Sequence, residues 1–318
     1  MSYIEKRNVG KNIRLYFVKK VNFMNKRFTI KKYVGIENSL FNKNKYILDN
    51  LIELTNEEYL FKSSFLHLVN SKIYAISKLS EVVEIKSIKI NNLIEAKNCE
   101  NSIDPEFAKE FIFNSNNIEG SKIPPEQVRE IISKGDTNYK NRNEIIEVQN
   151  SILAFEYIKK EFKFNISSIK KVYSILTTNL YREGNIPYPK GFKKEENIVG
   201  NSKTTPPEQV EEKLKELLNW YKQNKNKIHP LILAFEFHAK YELIHPFTDG
   251  NGRTGRLIIN KILLSSGYPP IIVFKSNKSA YFNALEEYSN RKTKKYFQFM
   301  LEQLDKTYDY ILETISKY

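Results

Sequence analysis

The sequence predicts a mainly α-helical protein with a small β appendage at its N-terminus and a β-hairpin flap between two helices. Three observations predict this fold class. Two β-prone runs, IRLYFVKKV and RFTIKKYV, follow each other near the N-terminus and end at Gly35. From about Ser39 onward, apolar residues recur every three or four positions, as they do on one face of a helix. Five glycines and prolines fall between Tyr181 and Thr205, which indicates an exposed hairpin between helices.

These patterns divide the chain into three parts. Residues 1–35 are predicted to form the N-terminal β-hairpin appendage, which could also have three strands. Residues 36–100 are predicted to be an N-terminal helical region, and residues 101–318 the main domain. Within the main domain, two Pro-Pro-Glu-Gln-Val stretches begin at Pro124 and Pro206. Both predict helix N-termini, because Pro fits the first helical turn and Glu favours the positive end of a helix.

Composition places the protein among water-soluble globular chains. Hydrophobic residues make up 41% of the sequence, yet no run approaches the roughly 18 to 20 apolar residues of a transmembrane helix. The first residues, MSYIEKRNVGKN, are too polar for a secretory signal. A single cysteine, Cys99, rules out an internal disulfide framework and fits a reducing compartment. We therefore expect a cytoplasmic protein that does not contact a membrane.

The formal net charge of +14 would suit a nucleic-acid partner. The cations are, however, spread along a chain rich in Lys, Asn and Ile, and they do not cluster with aromatic residues on one element. The first 35 residues come nearest, with ten Lys or Arg against one acid. We do not expect a nucleic-acid partner, although a nucleic-acid-binding regulator that uses this basic N-terminus remains an alternative function.

A glycine-rich turn followed by a helix predicts an anion site within residues 245–256, HPFTDGNGRTGR. The Gly-Asn-Gly turn at 250–252 can aim backbone N–H groups inward, and the next helix presents its positive N-terminus to the same point. Arg253 and Arg256 lie three apart on one helix face and add two forked donors suited to phosphate oxygens.

Two further residues of this stretch indicate what happens to the bound anion. Asp249 would repel a phosphate unless a cation lies between them, and Mg²⁺ takes one carboxylate together with phosphate oxygens and water. His245 has an ordinary pKa near 6.5 and can accept a proton from an attacking hydroxyl. The residues therefore predict phosphorus transfer from a nucleotide.

Two other kinds of site, a dinucleotide-binding turn and a zinc site, fit the residues around this stretch less well. Residues 250–255 satisfy G-x-G-x-x-G, but the dinucleotide fingerprint must follow a strand, and Leu231 to Ile244 has helical periodicity. His238 and His245 lie seven apart, yet no third ligand follows at a zinc spacing. His238 is better interpreted as a buried structural histidine or one that supports the site.

The stretch 245–256 matches every position of the signature H-x-F-x-D/E-G-N-G-R-x-x-R, and the chain therefore resembles the Fic family. The resemblance implies a helical bundle with a β-hairpin flap. It also implies that the protein moves AMP from Mg-ATP to a Ser, Thr or Tyr hydroxyl of a target protein, so that ATP and Mg²⁺ are the cofactors. The Doc branch, whose members phosphorylate, has Lys where Gly252 lies, which disfavours that reaction here.

The resemblance also assigns roles by position. The resemblance implies that His245 is the base, that Asp249 binds Mg²⁺ and that Arg256 binds the γ-phosphate. The other implied nucleotide contacts are Gly250, Asn251, Gly252, Arg253 and Gly255. The flap near 191–205 would cover the nucleotide and dock the target by strand addition. Further nucleotide or target contacts are expected at Val199, Gly200, Asn201, Ser202, Tyr281 and Asn290. Relatives often dimerise, so the resemblance allows a homodimer.

A second motif lies in the helix predicted near residues 110–120. Ser115 and Glu119 are four apart and share one helix face, with Gly120 as a helix end. Alone, this pattern also fits a solvated Glu at the end of a helix. Beside a complete Fic signature it resembles the inhibitory motif S/T-x-x-x-E-G/N, in which Glu119 would compete with the γ-phosphate for Arg256. Because some relatives use this Glu to position water, hydrolytic removal of AMP from a modified protein is the alternative reaction.

Overall fold

The structure, a computed structural model, is a mainly helical body with a β-sheet at its N-terminal end. The residues that it describes are 2–37, 41–71, 77–199 and 202–318. Within these ranges, no helix is both long and apolar enough to cross a bilayer. The predicted fold class is confirmed: helices dominate the chain, and the β-structure is limited to short sheets.

The N-terminal sheet has three antiparallel strands in the order of the chain. They are β1 (Ser2–Val9), β2 (Asn12–Phe23) and β3 (Lys26–Ile36). The strands alternate apolar and polar residues, so one face of the sheet is buried. Phe17 and Ile30 on this inner face pack on Ile47 and Leu54 of the first helices. The predicted β appendage is confirmed, with a third strand added to the hairpin.

The described residues form thirteen α-helices. In chain order they are α1 (Lys43–Asp49), α2 (Leu51–Ser63), α3 (Leu66–Asn70), α4 (Ser77–Lys97), α5 (Glu100–Ile118), α6 (Pro125–Lys134), α7 (Arg142–Lys160), α8 (Ile166–Thr177), α9 (Val210–Asn224), α10 (Pro230–Ile244), α11 (Asn251–Ser265), α12 (Lys278–Ser289) and α13 (Thr293–Ser316). Both Pro-Pro-Glu-Gln-Val stretches lie at helix starts, as predicted. Pro124 is the N-cap of α6, and a 3₁₀ turn at Pro207–Gln209 leads into α9.

Helix α10 is the centre of the molecule. Twelve of its fifteen residues are buried, as expected for a helix that is apolar on all sides. It packs against α9, α11, α12 and α13. The core around it also includes Phe23 and Val83, so the N-terminal elements and the helices around α10 share one apolar interior.

A buried ion network supports the packing of the N-terminal elements. The ammonium of Lys62 lies 3.3 Å from a carboxylate oxygen of Glu58 and 3.2 Å from one of Glu84. Lys19 of β2 completes a pair with Glu58 at 2.5 Å, and Glu84 accepts a hydrogen bond from the hydroxyl of Tyr268 at 2.6 Å. This network links the sheet and α2 to the segment after α11.

Two short hairpins lie between α8 and α9. The first pairs β4 (Tyr181–Arg182) with β5 (Ile186–Pro187), and the second pairs β6 (Ile198–Val199) with β7 (Ser202–Lys203). The second hairpin is the predicted flap. Its tip, Gly200 and Asn201, lies outside the described residues, so the contacts predicted there stay predictions.

Candidate active site

Residues 245–250 form a tight loop between α10 and α11. His245 ends α10 in the left-handed conformation (φ 49°), and its N–H donates to the carbonyl oxygen of Tyr241 at 3.0 Å. The following Pro246 cannot donate a hydrogen bond and cannot continue the helix. Gly250, with φ 72°, starts α11, because its carbonyl accepts the first helical bond from Thr254 at 3.0 Å. The loop thus joins the end of one buried helix to the start of another.

The shape of the loop is fixed from its own residues. The side-chain oxygen of Asn251 accepts from the N–H of Phe247, and its amide nitrogen donates to the carbonyl of Phe247, both at 2.8 Å. The ring of Phe247 is buried and stacks on Tyr173 with centroids 4.0 Å apart. The side chain of Asn251 therefore braces the loop, and only its backbone N–H remains for an anion.

His245 has the geometry of a general base. Its Nδ1 lies 3.3 Å from the carbonyl oxygen of Glu242. A carbonyl can only accept, so Nδ1 carries the proton and Nε2 keeps its lone pair. Burial, with a smaller contribution from the ammonium of Lys193, lowers the pKa of His245 to about 4, although the nearby carboxylate of Glu119 acts in the opposite direction. The imidazole is therefore neutral, and able to accept a proton, at neutral pH.

The N-terminus of α11 carries two buried arginines. Arg253 donates from Nη1 to a carboxylate oxygen of Glu147 at 3.3 Å. Arg256 donates to the hydroxyl of Ser115 at 3.1 Å and to the carbonyl of Ser115 at 2.8 Å. Within the described part of the chain, Nε of Arg253 and Nη1 of Arg256 have no hydrogen-bond partner although both are buried. These free donors fit an anionic ligand such as a phosphate group.

Arg256 also binds Glu119. Its Nη2 donates to Oε1 of Glu119 at 2.6 Å, and the guanidinium is only 2% exposed. Burial is the largest single effect and lowers the pKa of Arg256, but Glu119, together with Tyr281 and Glu242, outweighs it, so the pKa is raised. Ser115 lies in α5 and Glu119 is the C-cap of this helix, so the end of α5 covers Arg256 with three acceptor contacts.

Gly252 makes room for this ion pair. A Cβ atom at this position would lie 2.3 Å from Oε1 of Glu119 and 2.9 Å from Nη1 of Arg256. Gly255, one turn later, has a different neighbour, because a Cβ there would lie 2.3 Å from Oε1 of Glu242. The first glycine therefore opens α11 toward α5, and the second lets α11 pack closely on α10.

Asp249 is the residue most suited to a hard metal ion. Its side chain is 43% exposed, accepts from the hydroxyl of Tyr188 at 2.9 Å, and lies 4.0 Å from Nη2 of Arg253. No group of three His, Cys, Asp or Glu side chains in the described ranges is arranged to hold a metal. A lone accessible carboxylate fits Mg²⁺, which binds through one or two carboxylates and completes its shell with phosphate oxygens and water.

The base of the flap is bonded to the loop at residues 245–250. The N–H of Lys193 donates to the carbonyl of Pro246 at 2.9 Å, and the amide of Asn197 donates to the carbonyl of Phe247 at 3.0 Å. The buried ammonium of Lys193 reaches the side-chain oxygens of Asn197 and Thr204 at 2.6 and 2.7 Å. Burial lowers the pKa of Lys193 to about 8. The flap, including the backbone pairing of Val199 with Ser202, is thus anchored beside His245.

Two predicted nucleotide contacts lie in other surroundings. Tyr281 is buried, its hydroxyl lies 2.8 Å from Nε2 of His238, and its ring centroid is 6.0 Å from the guanidinium carbon of Arg256. It therefore supports Arg256 from inside the core. Asn290 is exposed and lines a surface cavity of about 490 Å³ together with Glu287. The residues that line this cavity do not include any of the 245–256 loop.

Sequence reasoning missed four side chains that shape the site. They are Glu147, Tyr188, Lys193 and Glu242. The first three contact the loop or hold the flap from distant parts of the chain, and no local pattern marks them. Glu242 could have been found, because it lies four residues after His238 and three before His245 on one helix face. Burial raises the pKa of Glu242 to about 8.

The geometry can be compared with known proteins. A curated relative from Drosophila mojavensis, named protein adenylyltransferase Fic, is 29% identical over 214 residues, which are 65% of this chain and 42% of that protein. The chain spans about two fifths of the length of these curated relatives.

Solved structures share the fold. A Fic family protein from Desulfovibrio desulfuricans superposes with a TM-score of 0.64 at 24% identity, covering 76% of each chain. A Fic domain containing signaling protein from Bacteroides thetaiotaomicron superposes with a TM-score of 0.61 at 22% identity, covering 68% of this chain and 90% of that one. Residues 163–263 match the family model described as Fic/DOC family, and this region holds the flap, α10, the loop and most of α11. Residues 163–263 are therefore similar to the Fic/DOC family, and the surrounding chain shares the fold of these solved structures.

Proposed function

We propose that the protein transfers AMP from Mg-ATP to a Ser, Thr or Tyr hydroxyl of a target protein. The observation that carries the proposal is the arrangement of one loop. It holds a neutral His245 next to the N-terminus of α11, where Arg253 and Arg256 have buried donors that no described residue uses. A base beside an anion site is what phosphorus transfer requires. The names of the curated relatives support AMP as the transferred group.

The loop residues then have defined roles. The N–H groups of residues 250–252 and the guanidinium of Arg253 hold phosphate oxygens at the positive end of α11. Mg²⁺, bound at Asp249, would neutralise charge on the phosphates. His245 takes the hydroxyl proton on Nε2 while the hydroxyl oxygen bonds to the α-phosphorus. The bond from this phosphorus to the oxygen that bridges to the β-phosphate breaks, and pyrophosphate leaves with the electron pair.

The flap supplies the proposed docking site for the target. Its strands β6 and β7 are two residues each, and the segment around them is bonded on both sides of His245, through Lys193 to Pro246 of the loop and through Thr205 to Leu243 of α10. A short strand has unpaired backbone groups along its edge, and an extended segment of a target can pair with them. Such pairing would place a hydroxyl of the target close to the imidazole.

In this proposal, the ion pair between Glu119 and Arg256 inhibits AMP transfer. The γ-phosphate of ATP needs the same donor that Oε1 of Glu119 accepts from at 2.6 Å. ATP that cannot reach Arg256 binds with its α-phosphate out of line with the attacking oxygen. A hydrogen bond to a charged group contributes about 1.5 to 3 kcal/mol. Release of this one contact should therefore raise transfer by about 10- to 150-fold.

Labelling with ATP tests the proposal. Glu119→Gly should increase incorporation of label from [α-³²P]ATP in the presence of Mg²⁺, and His245→Ala should abolish it. Glu161→Gly is the matched control, because Glu161 is the C-cap of α7 as Glu119 is of α5. It should label like the parent protein. Equal labelling of all variants, or transfer of label from [γ-³²P]ATP, would contradict AMP transfer.

Hydrolysis of AMP from a modified protein is a second candidate. Oε1 of Glu119 is bonded to Arg256, whereas the structure shows no partner for Oε2 among the described residues. This free oxygen is able to orient a water molecule next to His245. Mixing labelled protein with unlabelled parent protein separates the two reactions. Release of AMP that depends on Glu119 would select hydrolysis, and stable label would select transfer.

A further inference from the structure

The N-terminal sheet has an outer face that points away from the helices. On β2, Arg14, Tyr16 and Lys20 alternate with buried residues such as Leu15 and Phe17, which face the core. The antiparallel register brings side chains of the neighbouring strands beside them. The basic residues of this outer sheet face are Arg7, Arg14, Lys20, Arg27 and Lys31, and its tyrosines are Tyr3, Tyr16 and Tyr33.

The outer sheet face is strongly positive. Five cations and one acid, Glu5, give it a net charge of +4 (five minus one). Glu5 pairs with Arg7 and Lys31, which are on β1 and β3. The other three cations form no ion pair with any described carboxylate: Arg14, Lys20 and Arg27. Because Arg27 pairs with Asn22, the three uncompensated charges extend along about eight residues of β2, or about 27 Å, a length that an extended polyanion can follow.

Aromatic rings lie between these charges. Tyr3 is 41% exposed and Tyr33 is 56% exposed. Lys20 lies 5.5 Å from the ring centroid of Tyr3, and Arg14 lies 6.0 Å from that of Tyr33. The two rings are on the edge strands β1 and β3, two strand spacings apart across the sheet and offset by two residues along it, so their Cα atoms are about 12 Å apart. Each cation lies over one face of its ring, so a single strand of nucleic acid can stack one base on the other face of each ring while its phosphates meet the cation.

We propose that the outer sheet face binds single-stranded nucleic acid. A duplex fits less well, because its bases are stacked on each other and cannot reach the rings. An acidic polypeptide would satisfy the charges but would leave the exposed tyrosine faces unused. This site goes beyond AMP transfer and does not depend on it. The proposal differs from the expectation from sequence that no nucleic acid binds. The basic and aromatic residues are dispersed along three strands and come together only when the strands pair.

Fluorescence anisotropy with the full chain tests this site. The probes are fluorescein-labelled single strands of RNA and of DNA, about 12 nucleotides long, which matches the site size of single-strand-binding surfaces. Binding should weaken with salt with a log–log slope of about −2, the value for three phosphate contacts on a single strand. Arg14→Gln, Lys20→Gln and Arg27→Gln combined should remove most of this slope. The probe that binds tighter identifies RNA or DNA as the ligand.

A second set of variants tests stacking. Tyr33→Ala should weaken binding about 5-fold or more, whereas Tyr33→Phe keeps the ring and should bind like the parent protein. The charge control combines Lys134→Gln, Lys160→Gln and Lys215→Gln, whose side chains are 72%, 71% and 61% exposed on other helices. This control should also bind like the parent. Circular dichroism of each variant verifies that the sheet is intact.

Four outcomes would overturn the proposal. One is the absence of binding to both single strands at about 50 mM salt, where phosphate contacts are strongest. Another is equal weakening in the lysine control, which would show an unspecific charge effect. Parent-like binding by Tyr33→Ala, together with competition by polyglutamate, would identify a site for acidic polypeptides. Tighter binding to a duplex of the same sequence would also contradict a stacking surface.

Discussion

Replacing Gly252 with Ala tests whether the end of α5 closes over α11 as the structure shows. The new Cβ would lie 2.3 Å from Oε1 of Glu119 and 3.1 Å from Cδ of the same residue. Contacts this short force a neighbouring group to move. The carboxylate of Glu119 is at the end of a flexible side chain, so we expect it to move away and to lose its bond to Arg256.

The size of the effect follows from two opposing contributions. Overpacking costs about 1 to 3 kcal/mol of unfolding free energy. Exchange of Gly for Ala in a helix gains up to about 1 kcal/mol, less in the first turn where Gly252 lies. Glu119→Gly removes the group that the new Cβ would approach most closely and leaves Nη1 of Arg256 at 2.9 Å, at the end of a side chain that Glu119 then no longer holds, so Gly252→Ala should cost much less in that background. The coupling free energy between the two substitutions is therefore about 1 to 3 kcal/mol, because the helix contribution cancels in the cycle.

Urea unfolding of the parent, both single variants and the double variant measures this coupling. Gly255→Ala is the matched control, because it would overpack the same helix against Glu242 at the same 2.3 Å. Combined with Glu119→Gly, it should be additive within about 0.5 kcal/mol. A coupling below this value for Gly252→Ala would refute the contact between Glu119 and the start of α11.

The remaining predictions concern acid stability and the flap. Three buried histidines have a pKa that burial lowers to about 3 or 4: His229, His238 and His245. In the unfolded chain they take up protons below about pH 6.5, so stability is present above this pH and is lost as pH falls toward 4. The pKa of Glu242 is raised to about 8, so this carboxyl releases a proton on unfolding and offsets the proton uptake of one histidine. The unfolding free energy should therefore fall by at most about 2.7 kcal/mol per pH unit (three protons minus one). Urea unfolding at pH values between about 6.5 and 4.5 measures this fall, and a flat profile would contradict buried neutral histidines. Lys193→Met should speed hydrogen exchange of the amides at the flap base, because it removes the buried ammonium that bonds to Asn197 and Thr204. Lys194→Met, a change at the exposed neighbouring lysine, should not speed it. Equal exchange in both variants would show that the buried ammonium does not anchor the flap.

The sequence predicts the loop better than it predicts the surroundings of the loop. Residues 245–256 are contiguous, so their spacing alone places a histidine, a glycine turn and two arginines between two helices. Glu147 contacts Arg253 from 106 residues away. Lys193 contacts Thr204 within a turn-rich segment that has no regular period. Such contacts depend on how the helices pack, and no short sequence pattern predicts this packing.

Helix α2 illustrates the same limit for the fold. Ile52 and Leu60 belong to the apolar pattern that predicts this helix, yet they are 78% and 69% exposed. Glu58 and Lys62 are buried in their place, because the ion network with Glu84 compensates their charges. Periodicity identifies the helix, but the buried face depends on partners from other elements. The residues of the outer sheet face were not predicted to lie together for the same reason, since only strand pairing brings them together.

The contact between Glu119 and Arg256 has a consequence for how the site can be opened. Both residues belong to one chain, so the carboxylate is present at an effective concentration that the fold sets and that dilution does not change. An incoming anion must displace it, or the end of α5 must move. Helix α5 packs against α6, α7 and α13, and the hydroxyl of Tyr310 in α13 donates to a carbonyl of α5 at 3.2 Å. Helix α13 is therefore attached to the same helix whose C-terminal end covers Arg256.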